Sequence, residues 1–129
     1  MSRRARHQAE QAAIAALGKD LSRRSGSACE LCQSKDQTRP HLVPPAEEPD
    51  LDHAILGCGR CRELLDGGRL PDPDDLRFLE TAIWAEVVPV QVAAVRLLRR
   101  LAEGDVAWAQ EANDGLWLPE EVEARLAEG

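Results

Sequence analysis

The chain has 129 residues, 43% hydrophobic and 3% aromatic, with a formal net charge of −7. That length fits one domain, or two small ones sharing a core, and the apolar content excludes a disordered chain. The few aromatics (Phe78, Trp84, Trp108 and Trp117) exclude a nucleobase platform of stacked rings, and no apolar run reaches the roughly 18 to 20 residues that span a bilayer.

The first residues, Met-Ser-Arg-Arg-Ala-Arg-His, lack the apolar stretch of a signal peptide, and the chain reads as cytoplasmic. Charge is unevenly placed: residues 1–28 sum to +4, residues 29–75 to −6 and residues 76–129 to −5. An acidic body disfavours a polyanion. Weak, salt-sensitive contact with nucleic acid is expected only from the basic arm, through Arg3, Arg4, Arg6, Arg23 and Arg24. Residues 2–24 are Ala-rich, and Ile14, Leu17 and Leu21 form one stripe, which predicts a helix ended by Ser25-Gly26-Ser27. Pro40, Pro44, Pro45 and Pro49 exclude a long helix in the next stretch. Thr38–Val43 and His53–Gly57 read as short strands on either side of a polar loop. A short helix is expected after Cys61, stopped by Gly67-Gly68.

Residues 70–129 read as helical. Asp74 or Asp75 is expected to cap a helix with Leu76, Leu79 and Ile83 on one face. Pro89 breaks the pattern and opens a helix holding Val90, Ala93, Ala94, Leu97, Leu98 and Leu101, ended by Gly104. Asp105 is expected to cap the next helix, with Trp108 and Ala112 four apart. Pro119-Glu120-Glu121 starts the last, with Val122 and Leu126.

The cysteines carry the strongest signal: Cys29-x2-Cys32-x25-Cys58-x2-Cys61. Two residues between cysteines let both sulfurs reach one metal from a tight turn, and a second such turn completes a tetrahedron. Gly57 and Gly59 flank Cys58, where sharp turning and N–H groups aimed at sulfur are expected, and Gln33 is expected to offer its amide N–H likewise. Arg60 and Arg62 are placed to offset the charge of a tetrathiolate. Residues 26–69 have few large apolar side chains, and a unit of that size needs a staple. Zinc supplies one, on the order of 10 kcal/mol; disulfides are the rival staple and do not suit a cytoplasmic chain. The expected cofactor is one structural Zn²⁺ per chain, held by Cys29, Cys32, Cys58 and Cys61. If the second pair opens a helix the module is a treble clef; on a hairpin turn it is a zinc ribbon.

Arg24-Ser25-Gly26-Ser27-Ala28-Cys29-Glu30-Leu31-Cys32, Val43-Pro44-Pro45 and Cys58-x2-Cys61 resemble the opening of PhnA-like proteins, zinc-binding proteins named after the alkylphosphonate-uptake operon. The resemblance continues through Trp84-Ala85-Glu86-Val87, Pro89-Val90-Gln91-Val92, Arg96-Leu97-Leu98, Trp108-Ala109-Gln110 and Leu116-Trp117-Leu118. It covers roughly residues 20 to 129. Val87-Val88-Pro89 has one residue more than the family's pattern. The family name records gene neighbourhood and implies no phosphonate chemistry, and no Gly-rich loop here opens a helix as a phosphate cradle.

Cys-Glu-Leu-Cys followed by His-Leu-Val-Pro also resembles HNH nucleases, with His41 at the general-base position and His53 where their Asn stands. Pro40 and Arg62 occupy the positions where cation ligands are needed, and without a cation nothing stabilises the phosphoryl charge. Both histidines therefore read as hairpin surface positions. Trp84, Trp108 and Trp117 read as core with Leu79, Leu97 and Leu101, against a partner patch of one exposed Trp with Glu120, Glu121 and Glu123. Glu86 and Gln91 are expected to cap or bridge the broken helix at Pro89. The expected architecture is α+β: a helix over 1–25, a four-cysteine zinc module over 26–69 and a helical region over 70–129. The expected role is a non-enzymatic module for a protein partner, with no catalytic residue, no small-molecule substrate and no membrane contact. The alternative is a degenerate HNH-type nucleic-acid binder.

Overall fold

The computed structural model describes residues 2–129. Helix α1 spans Arg3–Ser25; Ser2 caps it by accepting from the Ala5 N–H at 3.1 Å, and Gly26, at φ 69°, closes it in the left-handed conformation. Residues 2–13 are exposed throughout, so alanine propensity rather than packing sustains this half. Leu17 and Leu21 are buried against Ala54 and Leu56, while Ile14, third in the stripe, is only half-buried.

Strands β1 (Arg39–Leu42) and β2 (Ala54–Gly57) pair antiparallel, with His41 opposite Ile55. All four residues of β2 are buried. The two-residue period sends Ala54 and Leu56 toward α1 and Ile55 into the main core. A 3-10 turn, Leu51–His53, leads into β2. Helix α2 (Gly59–Leu65) follows directly, with Cys58 as its N-cap and Cys61 in its first turn.

The single helix expected from Asp74 is not formed as such. Asp72 caps a 3-10 turn over Pro73–Leu76, and a short helix α3 covers Leu79–Ala82. Bonds such as Asp75 N to Asp72 O, Thr81 N to Phe78 O and Trp84 N to Thr81 O span three residues. A three-residue winding eclipses positions i and i+3, which buries Leu76, Leu79 and Ala82 on one side. Ile83, 1% exposed, completes that side.

Helix α4 (Val88–Glu103) is the centre of the molecule, buried at Pro89 through Val95 and at Leu97, Leu98 and Leu101. It packs against β2, α2 and α3 as well as α5 (Ala107–Asp114) and α6 (Glu120–Glu128). Asp105 does not cap α5. It stands at φ 64° just past α4, where Asp105 N donates to Ala102 O and Val106 N to Leu101 O. That is the Schellman closure, normally given to glycine, and it moves the cap of α5 to Val106, which makes no side-chain cap bond.

Two of the three tryptophans correct the core expectation, while Trp108 packs against the edge of the core. Trp84 is 52% exposed and Trp117 75% exposed. Ile83 fills the corner before α4, and its neighbour Trp84 points the other way. Trp108 is half-buried, with the Arg77 guanidinium 4.8 Å from the centre of its ring. Gln91 bridges the break as expected: its Nε2 donates to Ile83 O at 2.8 Å, in a buried setting. Glu86 is exposed. One continuous core runs from Cys29, Leu31 and Val43 through Ile55 and Leu64 to α4 and Val122, joining the cysteine turns to the helices.

Candidate metal centre

The first cysteine turn lies between α1 and β1. Cys29 N donates to Ser34 O at 2.8 Å, and Glu30 N to Leu56 O at 2.9 Å, which fastens the turn to β2. Gln33 stands at φ 68°. Its N–H goes to Cys29 O at 2.8 Å, not to sulfur as expected. The second turn is the start of α2, where Cys61 N donates to Cys58 Sγ at 3.4 Å. The glycines beside Cys58 make room. A Cβ at Gly57 would stand 3.0 Å from Arg62 Cγ, and one at Gly59 would stand 2.8 Å from Gln37 Oε1.

The four sulfurs lie within 4.8 Å of one another, and among the described residues this is the one His, Cys, Asp or Glu cluster close enough to hold a metal ion. Cys29, Cys58 and Cys61 are buried and Cys32 is half-buried. Cys32 Sγ is 3.6 Å from Cys58 Sγ and 3.8 Å from Cys61 Sγ. A tetrathiolate with metal–sulfur bonds of about 2.3 Å has edges of about 3.8 Å. These separations are far beyond a disulfide bond of about 2.05 Å, and all four cysteines are free. Donor type, number and spacing therefore fit one tetrahedral ion.

Crowding of the sulfurs splits their acidities. The neighbouring Cys61 sulfur draws the Cys29 thiol down to about 4, against the opposing effect of burial. The closeness of Cys29, with burial, pushes Cys61 well up. Burial also raises Cys32. A dication bound by four cysteine sulfurs displaces their protons. Burial opposes the charge on Arg60, but the nearby sulfurs of Cys32, Cys58 and Cys61 outweigh that and raise its pKa. Its guanidinium also lies 5.5 Å from the centre of the Phe78 ring. Arg62 is not aimed at sulfur: Nε donates to Gly57 O at 3.1 Å and Nη2 to Gln37 O at 2.7 Å, which braces the turn.

Neither histidine belongs to the sulfur cluster. His53 Nδ1 is 2.7 Å from Asp50 Oδ1, a contact that holds the Asp50 carboxyl below its usual range. His41 is half-buried rather than a surface position, 3.7 Å from Asp66. Burial lowers its pKa, with Asp66 acting the other way.

Sequence reasoning placed Arg24 on a free basic arm, and the structure corrects this. Arg24 grips Glu30 through Nε at 2.9 Å and Nη2 at 2.8 Å, and donates to Leu51 O at 2.7 Å and Ala54 O at 2.8 Å. Glu30 Oε1 also accepts from Leu56 N at 2.9 Å. The carboxylate between the two cysteines, six positions from an arginine, was the available signal. Arg3, Arg4, Arg6 and Arg23 remain exposed at the surface. No family model, no characterised protein and no solved structure matches the chain.

Proposed function

We propose that Cys29, Cys32, Cys58 and Cys61 bind one structural zinc ion, and that the chain is a PhnA-like module that works by holding a protein partner. The observation that carries the reading is the set of four mutually close sulfurs, two from a loop turn and two from the start of α2. Placement of the second pair at a helix start favours the treble clef over the ribbon. Four thiolates leave a tetrahedral ion no open position, so the metal has a folding role and no reaction is assigned to it. The exposed Trp84 and Trp117 support a partner surface, since tryptophans on a surface are enriched where proteins bind. The HNH-type reading is weaker: Arg62 is committed to backbone carbonyls at a position where a cation ligand is required.

The test has two steps. Denaturing release into a colorimetric chelator gives one zinc per chain, and Cys29→Ser or Cys61→Ser loses it. Capture of host proteins by the metal-loaded chain is then compared with capture by a Trp84→Ala, Trp117→Ala double variant. Loss of specific partners in a variant with native far-UV circular dichroism supports the reading. Magnesium-dependent DNA cleavage abolished by His41→Ala would replace it with the nuclease.

A further inference from the structure

Outside the sulfur cluster, β1, α2, α4 and the last residue, Gly129, line a solvent-open cavity of about 200 Å³. Its walls are mostly apolar, formed by Leu42, Leu64, Leu65 and Leu97, and Arg96, Arg100 and His41 border it. The two arginines are used differently. Arg100 donates from Nη1 to Leu64 O at 2.7 Å and from Nη2 to Gly68 O at 2.8 Å, closing the end of α2. Arg96 is half-buried and makes a single hydrogen bond among the described residues, from Nη2 to Arg125 O at 3.1 Å. No carboxylate of the described residues stands within 4.0 Å of it.

Many exposed arginines also lack a carboxylate, but among the half-buried ones Arg62 and Arg100 each donate to two carbonyls and Arg24 and Arg125 hold carboxylates, which leaves Arg96 the least satisfied. The chain has 23 Asp and Glu against 16 Lys and Arg, so acidic partners are plentiful. Arg24, Arg77 and Arg125 each hold at least one carboxylate. A partly desolvated guanidinium is costly unless an anion pairs with it, and with Nη2 held by Arg125 O the other donors of Arg96 are left for a charge-assisted contact. Beside it lies apolar space smaller than the roughly 300 to 1,000 Å³ of drug-sized sites. A cation at the edge of a small apolar cavity selects an anion with a short hydrocarbon tail. We propose that this cavity binds a small organic carboxylate, its charged group taken by Arg96 and its tail lying on Leu42, Leu64, Leu65 and Leu97. Gly129 lies against the guanidinium so closely that a Cβ there would collide with it, which closes one side. The site is independent of the sulfur cluster and of the partner surface.

The experiment is an NMR titration of the metal-loaded, ¹⁵N-labelled full chain with sodium butyrate at constant ionic strength. Saturable shifts are expected at residues 41–44, 64–65 and 96–100. Butanol, which has the tail without the charge, and inorganic phosphate, which has charge without the tail, are each expected to bind at least ~10-fold more weakly. Arg96→Gln is expected to weaken butyrate at least ~10-fold, while Arg99→Gln, with the same charge change elsewhere on α4, leaves it unchanged. Non-saturating or evenly spread shifts would overturn the proposal, as would butyrate binding unchanged by Arg96→Gln. Phosphate binding as tightly as butyrate would also overturn it. If Arg96→Gln does not give a native spectrum, the butyrate–butanol comparison on the unaltered chain decides whether the charge is read.

Discussion

Arg24→Met tests whether the basic end of α1 is a free arm or a structural clamp. The Arg24 side chain is 22% exposed and that of Glu30 is 7% exposed, and two parallel nitrogen–oxygen contacts join them. Removing one partner of a buried ion pair costs about 3–5 kcal/mol, because the other charge is left desolvated. Here Glu30 keeps the Leu56 N–H and Arg24 is not fully buried, so the lower end applies, about 3 kcal/mol. Spread over a domain of this length, that lowers the melting temperature by about 10 °C. Adding Glu30→Gln removes the stranded charge, and a double-mutant cycle is expected to return about 1–2 kcal/mol of coupling. Arg23→Ala is the control: its partner Asp20 is 3.6 Å away, both side chains are at least half exposed, and a change within about 0.5 kcal/mol is expected. Urea unfolding by circular dichroism of the metal-loaded unaltered chain, Arg24→Met, Glu30→Gln, their double variant and Arg23→Ala gives the free energies, and thermal melts give the temperature shift. An Arg24→Met midpoint equal to that of Arg23→Ala would refute the clamp.

The other expectations concern the metal and the helical half. Cys58→Ser removes the sulfur but leaves a hydroxyl able to cap α2, so its effect reports the metal and not the cap; the metal assay is expected to fall from one ion per chain to none, and limited proteolysis to cut first between residues 26 and 69. Unchanged protection there in metal-free protein would defeat the folding role of the ion. Trp84→Ala, at a site 52% exposed, is expected to shift stability by less than about 1 kcal/mol, whereas Leu98→Ala, at 0% exposed, costs about 2–5 kcal/mol. A melting-temperature loss for Trp84→Ala as large as that for Leu98→Ala would return this Trp to the core. Gln91→Leu strands the Ile83 carbonyl at the corner before α4 and is expected to cost about 1–3 kcal/mol in chemical denaturation. A neutral result would mean that water replaces the amide.

What the sequence made legible was what the chain decides locally. The cysteine spacing, most of the proline and glycine punctuation and the apolar period of α4 each depend on a few neighbouring residues, and there the structure brings the four sulfurs together, ends α1 and α4 at Gly26 and Gly104 and buries the expected face of α4. The errors lie where geometry outside the segment decides. Trp84 and Ile83 are adjacent, and only the direction in which the chain leaves α3 determines which of them meets α4. Asp105 has the chemistry of a helix cap, yet the closure of the preceding helix claims it first. The arginines show the same limit most clearly. Arg23 and Arg24 are neighbours of the same charge on the same helix, yet one side chain lies in solvent and the other reaches residues 30, 51 and 54. Arg96 and Arg100, one turn apart on α4, divide likewise into a cation without a carboxylate and a brace for α2. Net charge sums such residues as equals. The surface open to an anion is set instead by those whose donors the fold has not already used, among them Arg3, Arg4 and Arg6 at the exposed end of α1, the exposed Arg39 and Arg69, and the half-buried Arg96, which spends one donor on Arg125 O.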